Sequence, residues 1–558
     1  MSMMIFKIIE SLKESIRKSL KKCVDEGVFN LDCVPEIIIE VPKDKTHGEF
    51  STNIAMQLPK ILKKSPKIIG EAITKNIDFD NTYIESVEIA GAGFINFHLK
   101  NNWLYEVLEE VWDKKSNYGS IEAGLGKKVN VEYISANPTG PMHMGNARGG
   151  AIGDSIASIL KWAGYEVKRE FYINDAGNQI EKFGQSLEAR YLQLLGQDII
   201  FPEDGYQGDD ITEHMRNFIS INDNKYLHTE SEERKKIFID YALNLNLDRI
   251  KSDLSGYGIK YDVWFSERLL HYQGKVNEVI EELKNKGYAY EQEGAIWFKA
   301  TDFGCEKDDV LIRNNGIPTY FAADIAYHVD KLRTREFDLS INVWGADHHG
   351  HVARLKGALK ALGIDPDRLT IIIMQLVRLT RKGEIERMSK RSGKMVTLSD
   401  LIDEVGKDAA RFLFNLRSPE SHLDFDLDLA VEESNDNPVF YVQYAHARIC
   451  SILRQLDIKV DFSQVTLSLL KEKEELELIR KLADLPQEIL TAINKLDPSR
   501  ITKYALELSS NFHSFYNACR VITEDEELKK ARIMLIECTK QVIRNVLDIL
   551  GVNAPDRM

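Results

Sequence analysis

Hydrophobic and polar residues follow two different periods in the N-terminal part of the chain. From Ile5 to Leu20, isoleucine and leucine recur every three or four positions, which predicts an amphipathic helix. Residues 35–41 form a β-branched run that predicts a strand. Residues 86–99 (SVEIAGAGFINFHL) are interrupted by glycine and then alternate, as in an edge strand with a bulge. We therefore expect residues 1–115 to form a small α+β domain.

The middle of the chain has the pattern of a βαβ unit. Residues 127–134 (KKVNVEYI) predict a strand, and residues 165–173 (YEVKREFYI) predict a second one. Between them, Ile152, Ile156 and Ile159 fall on one face of a helix. Such units build parallel sheets, and ligands bind at the carboxyl ends of their strands.

Two further segments complete the predicted architecture. Residues 185–255 are helical and acidic, which indicates an insertion between the two halves of an α/β fold. After an acidic segment at residues 424–436, long amphipathic helices predominate. We therefore expect residues 116–436 to form an α/β domain and residues 437–558 an all-α domain.

Composition excludes several classes of protein. Hydrophobic residues make up 43% of the 558 residues and charged residues 29%, which is typical of a cytoplasmic enzyme. No apolar run reaches membrane-spanning length, so we expect no membrane partner. The six cysteines are scattered without a CxxC pair, which argues against a disulfide framework and a cysteine zinc site.

The charge balance leaves a nucleic-acid partner open. A formal net charge of −14 opposes binding to phosphate overall. Lysine and arginine nevertheless cluster at residues 13–22, 60–67 and 381–394. These clusters are either basic patches on an acidic protein or ordinary solvated helix faces.

A proline- and glycine-rich stretch lies between the first predicted strand and helix of the βαβ unit. It covers residues 135–146 (SANPTGPMHMGN), where prolines stiffen the loop and glycines permit close approach of a ligand. His143 and Asn146 would lie on one side of the first helical turn and donate hydrogen bonds to phosphate oxygens. The alternative is a glycine-rich helix start that only packs tightly on the sheet, with His143 as a structural histidine.

A second stretch, residues 386–394 (ERMSKRSGK), is basic and precedes a helix whose start is marked by Thr397 and Asp400. Cations such as Lys390 could neutralise a polyphosphate during adenylyl transfer. Taken alone, the same stretch would suit a solvated basic turn.

Together the two stretches resemble the paired signatures of class I aminoacyl-tRNA synthetases. The HMGN run resembles the HIGH motif and the RMSKR run resembles KMSKS, with Lys390 kept. The chain departs from those motifs at Asn146, Arg387 and Arg391. The runs HGEFSTN (47–53), AGAGFIN (90–96) and NDAGNQ (174–179) are similar to those of arginyl-tRNA synthetases in particular.

The resemblance implies a multidomain α/β fold. Residues 116–436 would be a Rossmann-like class I catalytic domain with an insertion near 185–255 and a KMSKS-type loop at 384–396. Residues 1–115 would be the additional N-terminal domain that contacts the tRNA elbow, and residues 437–558 the all-α (DALR) anticodon-binding domain.

The resemblance also implies an arginine pocket. Carboxylates hold a guanidinium best, and Tyr320 and Asp324 lie one helical turn apart at the start of a predicted helix. The arginine-binding roles fall on Glu132, Asn137, Tyr320 and Asp324, and we add His348 from the run VWGADHHGH. Alternatively, Asp324 forms a local cap or salt bridge and Glu132 faces solvent from an edge strand. Adjacent histidines diverge on a helix, so we predict no metal site in that run.

The predicted function is that of an arginyl-tRNA synthetase: ATP-dependent activation of L-arginine to arginyl-adenylate, and transfer to tRNA(Arg) with release of AMP and pyrophosphate. His143, Asn146 and Lys390 would be catalytic. The predicted ATP-binding residues are Pro138, Thr139, Gly140, Pro141, Met142, His143, Met144, Gly145, Asn146, Met388, Ser389 and Lys390. Tyr441, Tyr444, His446 and Arg448 would contact tRNA bases.

We expect ATP to enter with Mg²⁺ as a substrate complex, no tightly bound metal or organic cofactor, and a cytoplasmic monomer. Two other functions remain open. A different class I synthetase would share both signatures, and the amino acid that supports ATP/pyrophosphate exchange would discriminate it. A synthetase-like RNA-binding or scaffold protein would bind tRNA without charging it.

Overall fold

The N-terminal part of the chain folds as an α+β unit. The computed structural model describes residues 3–42, 44–80, 82–386, 396–456 and 464–558. The first elements are α1 (Met4–Asp25), β1 (Phe50–Thr52), α2 (Ile54–Gln57), α3 (Pro59–Leu62), α4 (Pro66–Lys75), β2 (Ile84–Ala90), β3 (Phe94–Leu99) and α5 (Asn102–Lys114). The three strands form an antiparallel sheet in the order β1-β3-β2.

Two expectations for this region are wrong. Residues 86–99 are a hairpin rather than one bulged edge strand, because Gly91 (φ 53) and Gly93 (φ 126) adopt backbone angles that allow the chain to reverse. Residues 35–41 form no regular strand, and only Glu40 pairs, with Ser51. Proline on each side of that run limits the number of N–H groups that can join a sheet.

The centre of the molecule is a parallel five-stranded sheet. Its strands and the elements between them are β4 (Lys128–Tyr133), α6 (Gly145–Trp162), β5 (Glu166–Ile173), α7 (Asn178–Leu194), α8 (Asp209–Asn222), α9 (Ser231–Gly256), β6 (Val263–Ser266), α10 (Glu267–Tyr272), α11 (Lys275–Asn285), β7 (Ala289–Gln292), β8 (Ala295–Phe298), β9 (Asp309–Ile312), α12 (Tyr320–Val329), β10 (Leu339–Gly345), α13 (His349–Ala361) and β11 (Leu369–Met374). The spatial order is β11-β10-β4-β5-β6, so the chain reverses direction across the sheet between β4 and β10. Ligands bind above such a switch point.

Two insertions flank this sheet. Helices α7, α8 and α9 pack around their own core, which includes Phe183, Met215 and Phe238. Strands β7, β8 and β9 form a separate antiparallel sheet before α12.

A three-stranded sheet carries the second signature. It is built from β12 (Val377–Arg381), β13 (Glu384–Glu386) and β14 (Leu423–Asp426), and α14 (Leu398–Val405), α15 (Lys407–Phe414) and α16 (Leu427–Val431) pack beside it. Thr397 and Asp400 cap α14 reciprocally, as the sequence predicts.

The C-terminal part is helical. It contains α17 (Pro438–Leu456), α18 (Lys473–Ala483), α19 (Leu485–Lys495), α20 (Ser499–Ala518) and α21 (Glu526–Leu550). It packs on the N-terminal unit through Tyr105, whose hydroxyl donates to the Leu470 carbonyl at 3.1 Å, and through the Arg480–Glu49 ion pair at 3.0 Å. Among the described residues, no helix combines the length and apolar character needed to span a membrane.

Candidate active site

The loop after β4 begins with an unusual turn. Ile134 (φ 68) and Ser135 (φ 45) both adopt left-handed backbone angles, which are costly for a β-branched residue. The turn brings the Ser135 hydroxyl to the Glu132 carboxylate, to which it donates at 3.0 Å. The same hydroxyl oxygen accepts from the Tyr172 N–H of the next strand at 3.1 Å. These two hydrogen bonds keep the strained backbone of Ser135 in place. One of them is made to Glu132, which is predicted to bind arginine.

The next part of the loop pairs with the segment that follows the second signature. The Met144 N–H donates to the Val396 carbonyl at 3.0 Å, and the Leu398 N–H donates to the Met142 carbonyl at 3.0 Å. Between these bonds, His143 and Thr397 form an antiparallel bridge. The predicted residues Met388, Ser389 and Lys390, like Arg387 and Arg391, lie outside the described residues. The chain that continues from them is bonded to the first signature.

His143 is partly exposed, and its ring lies beside Gly145. A Cβ atom on Gly145 would stand 3.0 Å from Nδ1 and from Cε1 of the imidazole, so the ring occupies the space that a side chain would fill. Partial burial lowers the pKa of His143 below its ordinary value. The ring is therefore neutral at pH 7 and offers one N–H donor.

Asn146 lies in the first turn of α6, where the N–H groups of Asn146 and Ala147 donate to the carbonyls of His143 at 3.0 Å and Met144 at 2.9 Å. Its Oδ1 atom is buried and has no hydrogen-bond partner among the described residues. A buried polar atom without a partner costs free energy, and a bound ligand would relieve that cost. The Asn146 amide oxygen is therefore an acceptor that still lacks a hydrogen-bond donor.

The insertion helices hold the beginning of the same loop. The amide of Asn246 on α9 donates to the Pro138 carbonyl at 2.9 Å, and the Asn246 Oδ1 atom is 2.9 Å from Nε2 of His214 on α8. Gly140 faces α8, because a Cβ atom there would stand 3.5 Å from the Asp210 carboxylate. Of the other predicted ATP-binding residues, Thr139 and Pro141 are half-buried, and Met142 and Met144 are buried.

Arg148, one turn further along α6, is a residue that sequence reasoning missed. Its side chain is buried and donates to the carbonyls of Gln375 at 2.8 Å, Ser418 at 3.0 Å and Ser421 at 2.8 Å. These carbonyls lie just before β12 and just before β14, so Arg148 ties α6 to the base of the three-stranded sheet. Burial lowers the pKa of Arg148 to about 10, which leaves the guanidinium charged at neutral pH.

Glu132 lies on the central strand β4 and is only 5% exposed, so the alternative that it faces solvent from an edge strand is wrong. Its Oε2 atom accepts from the Lys331 ammonium at 2.6 Å and from the Asn342 amide at 2.9 Å. Its Oε1 atom accepts from Ser135. The carboxylate is therefore fixed on both oxygens.

Asp324 and Tyr320 share one face of α12. The Asp324 Oδ2 atom lies 2.8 Å from Nε2 of His351, and the Tyr320 ring centroid lies 5.7 Å from that imidazole. Tyr320 is 65% exposed, so its ring remains available to a ligand. His348 is also exposed, and its ring lies 5.6 Å from that of Trp344.

Two further side chains near the proposed arginine site, Tyr172 and Glu267, are not among the residues predicted from the sequence. Burial raises the pKa of the Tyr172 hydroxyl well above its ordinary value, and the nearby charges of Glu267, Asp324 and Glu132 add to the rise. Glu267 is itself buried at the start of α10. Asn137 lies at the rim, where its amide donates to Gln179 at 2.6 Å. The negative charges of these carboxylates favour a cationic ligand in this region.

The predicted tRNA contacts on α17 fall into two groups. Tyr441 and Tyr444 lie with ring centroids 4.9 Å and 6.1 Å from that of His513, and the Arg448 guanidinium lies 4.2 Å from the ring centroid of Tyr516. By contrast, His446 is buried, and its Nδ1 atom bonds to the Pro555 carbonyl at 2.9 Å. Its side chain therefore packs against the C-terminal segment.

One group of described residues has the composition of a metal site, namely His446, Cys450 and Asp556. The Asp556 carboxylate already pairs with Arg544 at 3.2 Å, and burial raises the pKa of the Cys450 thiol to about 11. A protonated thiol beside an arginine is a poor cation ligand. His446 and Cys450 instead hold the C-terminal segment, through bonds to Pro555 and Asp556.

Sequence profiles of known families cover most of the chain. Residues 107–420 match "tRNA synthetases class I (R), catalytic domain", residues 10–99 match "Arginyl tRNA synthetase N terminal domain", and residues 442–558 match "DALR anticodon binding domain". The first of these matches alone spans more than half of the chain. The chain belongs to the arginyl-tRNA synthetase family.

Relatives of full length agree with this assignment. The chain is 57% identical over 561 residues to the arginine–tRNA ligase of Acetivibrio thermocellus, with 99% of this chain and 100% of that protein covered. It is 58% identical over 557 residues to that of Ruminiclostridium cellulolyticum, with 99% of each covered. The Thermus thermophilus arginyl-tRNA synthetase structure has the same fold, with a TM-score of 0.75 at 22% identity over 98% of this chain and 100% of that one. The predicted fold class and arginine–tRNA ligase function are confirmed.

Proposed function

We propose that ATP, entering as its Mg²⁺ complex, and L-arginine bind side by side above the carboxyl ends of β4 and β10. The arginine carboxylate oxygen attacks the α-phosphorus, the bond to the β-phosphate oxygen breaks, and pyrophosphate leaves with that electron pair. The protein contributes positioning and charge stabilisation, because this displacement needs no covalent enzyme intermediate.

The phosphates are bound by the two signatures together. The neutral His143 ring and the Asn146 amide supply hydrogen bonds at the start of α6, where the positive end of the helix dipole favours an anion. Lys390 supplies the positive charge that stabilises the departing pyrophosphate. The observation that carries this proposal is the bridge between His143 and Thr397, because it joins the segment after Lys390 to the phosphate-binding loop.

Arginine is bound by Glu132 and Asp324 at its guanidinium, with Tyr320 covering it. Asn137 and His348 lie at the rim and contact the α-amino and carboxylate groups. Support comes from the burial of Glu132, the exposure of the Tyr320 ring and the negative charges that act on Tyr172. A planar guanidinium forms paired hydrogen bonds with carboxylates, which an ammonium group does not.

In the second step, the terminal ribose hydroxyl of tRNA(Arg) attacks the adenylate carbonyl, and AMP leaves. Residues 437–558 bind the anticodon, with bases stacking on Tyr441 and Tyr444 beside Arg448. His446 acts indirectly by holding the C-terminal segment. Residues 1–115 bind the tRNA elbow, and residues 116–436 carry the chemistry. One chain supplies every proposed site, and the enzyme is proposed to act as a monomer in the cytoplasm.

The test is ATP/pyrophosphate exchange with each of the twenty amino acids, with and without tRNA(Arg), followed by charging of tRNA(Arg). Exchange is expected with arginine alone among them, to depend on tRNA(Arg), and to collapse in Lys390→Ala. Lys503→Ala, which removes an exposed lysine of α20, is the matched control. Equal exchange with lysine or methionine would contradict the arginine site, and full exchange in Lys390→Ala would contradict the role of the second signature.

A further inference from the structure

Lys331 is a completely buried lysine beneath the proposed arginine site. It lies in a five-residue π-helical turn, Asp330–Thr334, that continues directly from α12. Its ammonium lies 2.6 Å from the Glu132 Oε2 atom, 3.3 Å from the Asn342 Oδ1 atom and 4.1 Å from the centroid of the Tyr327 ring. A buried ammonium is costly, and π-turns occur often at functional sites. The mechanism proposed above leaves this residue unused.

The orientation of Asn342 follows from its neighbour His328. Burial lowers the pKa of His328 well below its ordinary value, so the ring is neutral and carries one proton. Its Nδ1 atom lies 2.8 Å from the Asp324 carbonyl, which can only accept, so Nδ1 carries the proton. The Nε2 atom must then accept, and it lies 2.9 Å from the Asn342 amide nitrogen.

The remaining bonds of Asn342 agree with that orientation. The amide nitrogen also donates to the Glu132 Oε2 atom, which lies in register with it across β4 and β10. The amide oxygen accepts from Lys331 and from the Ser340 hydroxyl, at 3.3 Å and 3.2 Å. Both Asn342 N–H groups meet acceptors, and Lys331 makes two hydrogen bonds while also facing the Tyr327 ring, so the side chains form a connected network.

This network connects the two carboxylates proposed to hold the guanidinium. It binds the Glu132 side chain directly and reaches the backbone of Asp324 through His328. Lys331 and Asn342 both donate to the Oε2 atom, so the Glu132 carboxylate has one orientation. Lys331 also offsets part of the negative charge of Glu132. Attraction between charges does not distinguish arginine from lysine, whereas a carboxylate of fixed plane does.

Building on the proposed function, we propose that Lys331 and Asn342 are positioning residues that set the enzyme's discrimination between guanidinium and ammonium side chains. With both present, Glu132 is an oriented acceptor. With Lys331 replaced, Glu132 has an unbalanced negative charge and a freer side chain, so that any cation of suitable length is attracted to it.

The experiment compares Lys331→Met with the wild type in arginine-dependent ATP/pyrophosphate exchange, with L-lysine as a competing inhibitor. The ratio of the lysine inhibition constant to the arginine KM is expected to fall by about tenfold or more. The KM for ATP is expected to stay unchanged, because His143 and Asn146 are not part of the network. Asn342→Asp, which removes the two N–H donors while keeping the shape, is expected to change the same ratio.

Lys275→Met is the matched control. Lys275 forms an ion pair with Asp330 in the same π-turn but has no bond to Glu132. The Lys275→Met substitution is expected to lower thermal stability without changing the ratio of the lysine inhibition constant to the arginine KM. If Lys331→Met and Asn342→Asp behave in the same way as Lys275→Met, the network is only structural and the proposal is overturned.

The Glu132→Gln variant tests the proposed arginine site independently of the proposed role of Lys331. An unchanged arginine KM in Glu132→Gln would overturn the arginine site itself. A raised arginine KM in Glu132→Gln, with an unchanged ratio in Lys331→Met, would overturn only the role of Lys331. The double variant Glu132→Gln/Lys331→Met removes both charges and is expected to recover thermal stability relative to Lys331→Met, but not arginine binding. Recovery of arginine binding in the double variant would also contradict the proposal.

Discussion

The backbone of Thr397 pairs with that of His143 as an antiparallel bridge, bounded by the bonds from Met144 to Val396 and from Leu398 to Met142. These residues are far apart in the sequence and come from the ends of two separate signatures. Arg148 adds a second connection, because it binds the carbonyls at the base of the sheet that includes β12 and β13. The first turns of α6 are thus attached to both sides of the chain segment that carries the second signature.

The first prediction concerns His143. His143→Ala is expected to lower the rate of exchange by about a hundredfold, the typical effect of losing one donor to a charged transition state. His143→Asn keeps an N–H donor and is expected to lose less. Because burial lowers the pKa of the ring, any effect of His143 protonation on wild-type exchange should have its midpoint below the ordinary histidine pKa of about 6.5. A step in the wild-type pH profile above pH 6.5 that is absent from His143→Asn would contradict a lowered pKa.

The second prediction separates stability from activity at Gly145. Alanine favours a helix over glycine by about 1 kcal/mol, so Gly145→Ala at the helix start should not destabilise the fold. The new methyl group would stand 3.0 Å from the His143 ring and displace it, so the exchange rate should fall. Thermal unfolding and exchange kinetics check both parts. Gly256→Ala, at the end of α9 with nothing within 4 Å of the new Cβ, should change neither strongly.

Much of this site could be predicted because its signal is local. The strand, loop and helix around residues 128–162 follow from hydrophobic periodicity and from a proline- and glycine-rich loop at their junction. The i, i+4 spacing of Tyr320 and Asp324 likewise places both on one face of α12. The prediction of secondary structure fails where a strand-like segment has no neighbouring strand to pair with. Residues 35–41 are an example, because only Glu40 pairs.

The rest of the site depends on contacts between distant segments. Lys331 and Arg148 look like ordinary surface charges in the sequence, yet both are fully buried by strands and turns that come much later or earlier in the chain. The left-handed angles at Ile134 and Ser135 give no sequence signal, since neither residue type favours them. His446 lies four residues after Val442 and three before Ile449, on the buried face of α17, where the C-terminal segment around Pro555 covers it.

The third prediction concerns Arg148. Arg148→Met keeps a long side chain but leaves the half-buried Gln375 and Ser421 carbonyls without their donor, at a cost of about 1 kcal/mol or more each, while the Ser418 carbonyl keeps the Ser421 N–H. Denaturant unfolding should show this loss. At temperatures where the variant is folded, the KM for ATP should rise more than the KM for arginine, because Arg148 supports the sheet beside the second signature and not the arginine pocket. An equal rise in both KM values would contradict that assignment. Arg378→Met, which breaks an exposed ion pair with Asp424 in the same sheet, is the matched control.

The fourth prediction concerns Gly551, directly after the last helix. Arg411, a fully buried residue of α15, donates to the Leu550 carbonyl at 2.8 Å and to the Tyr257 carbonyl at 3.3 Å, and its guanidinium pairs with Asp154 of α6 at 2.5 Å. The guanidinium therefore joins the helical C-terminal part to the helix that starts at the phosphate-binding loop. A methyl group on Gly551 would overlap it.

Gly551→Ala is therefore expected to destabilise the protein by more than the left-handed backbone penalty of about 1–2 kcal/mol. Gly304→Ala measures that penalty alone, since Gly304 is also left-handed (φ 85, ψ 13) but nothing lies within 4 Å of its Cβ position. The two variants should be compared by denaturant unfolding, and the difference between them is the cost of displacing Arg411 from a buried ion pair. Equal losses would mean that the guanidinium can move aside freely. In that case Arg411 does not hold Leu550 and Asp154 together rigidly, and other contacts must fix the C-terminal helices against α6.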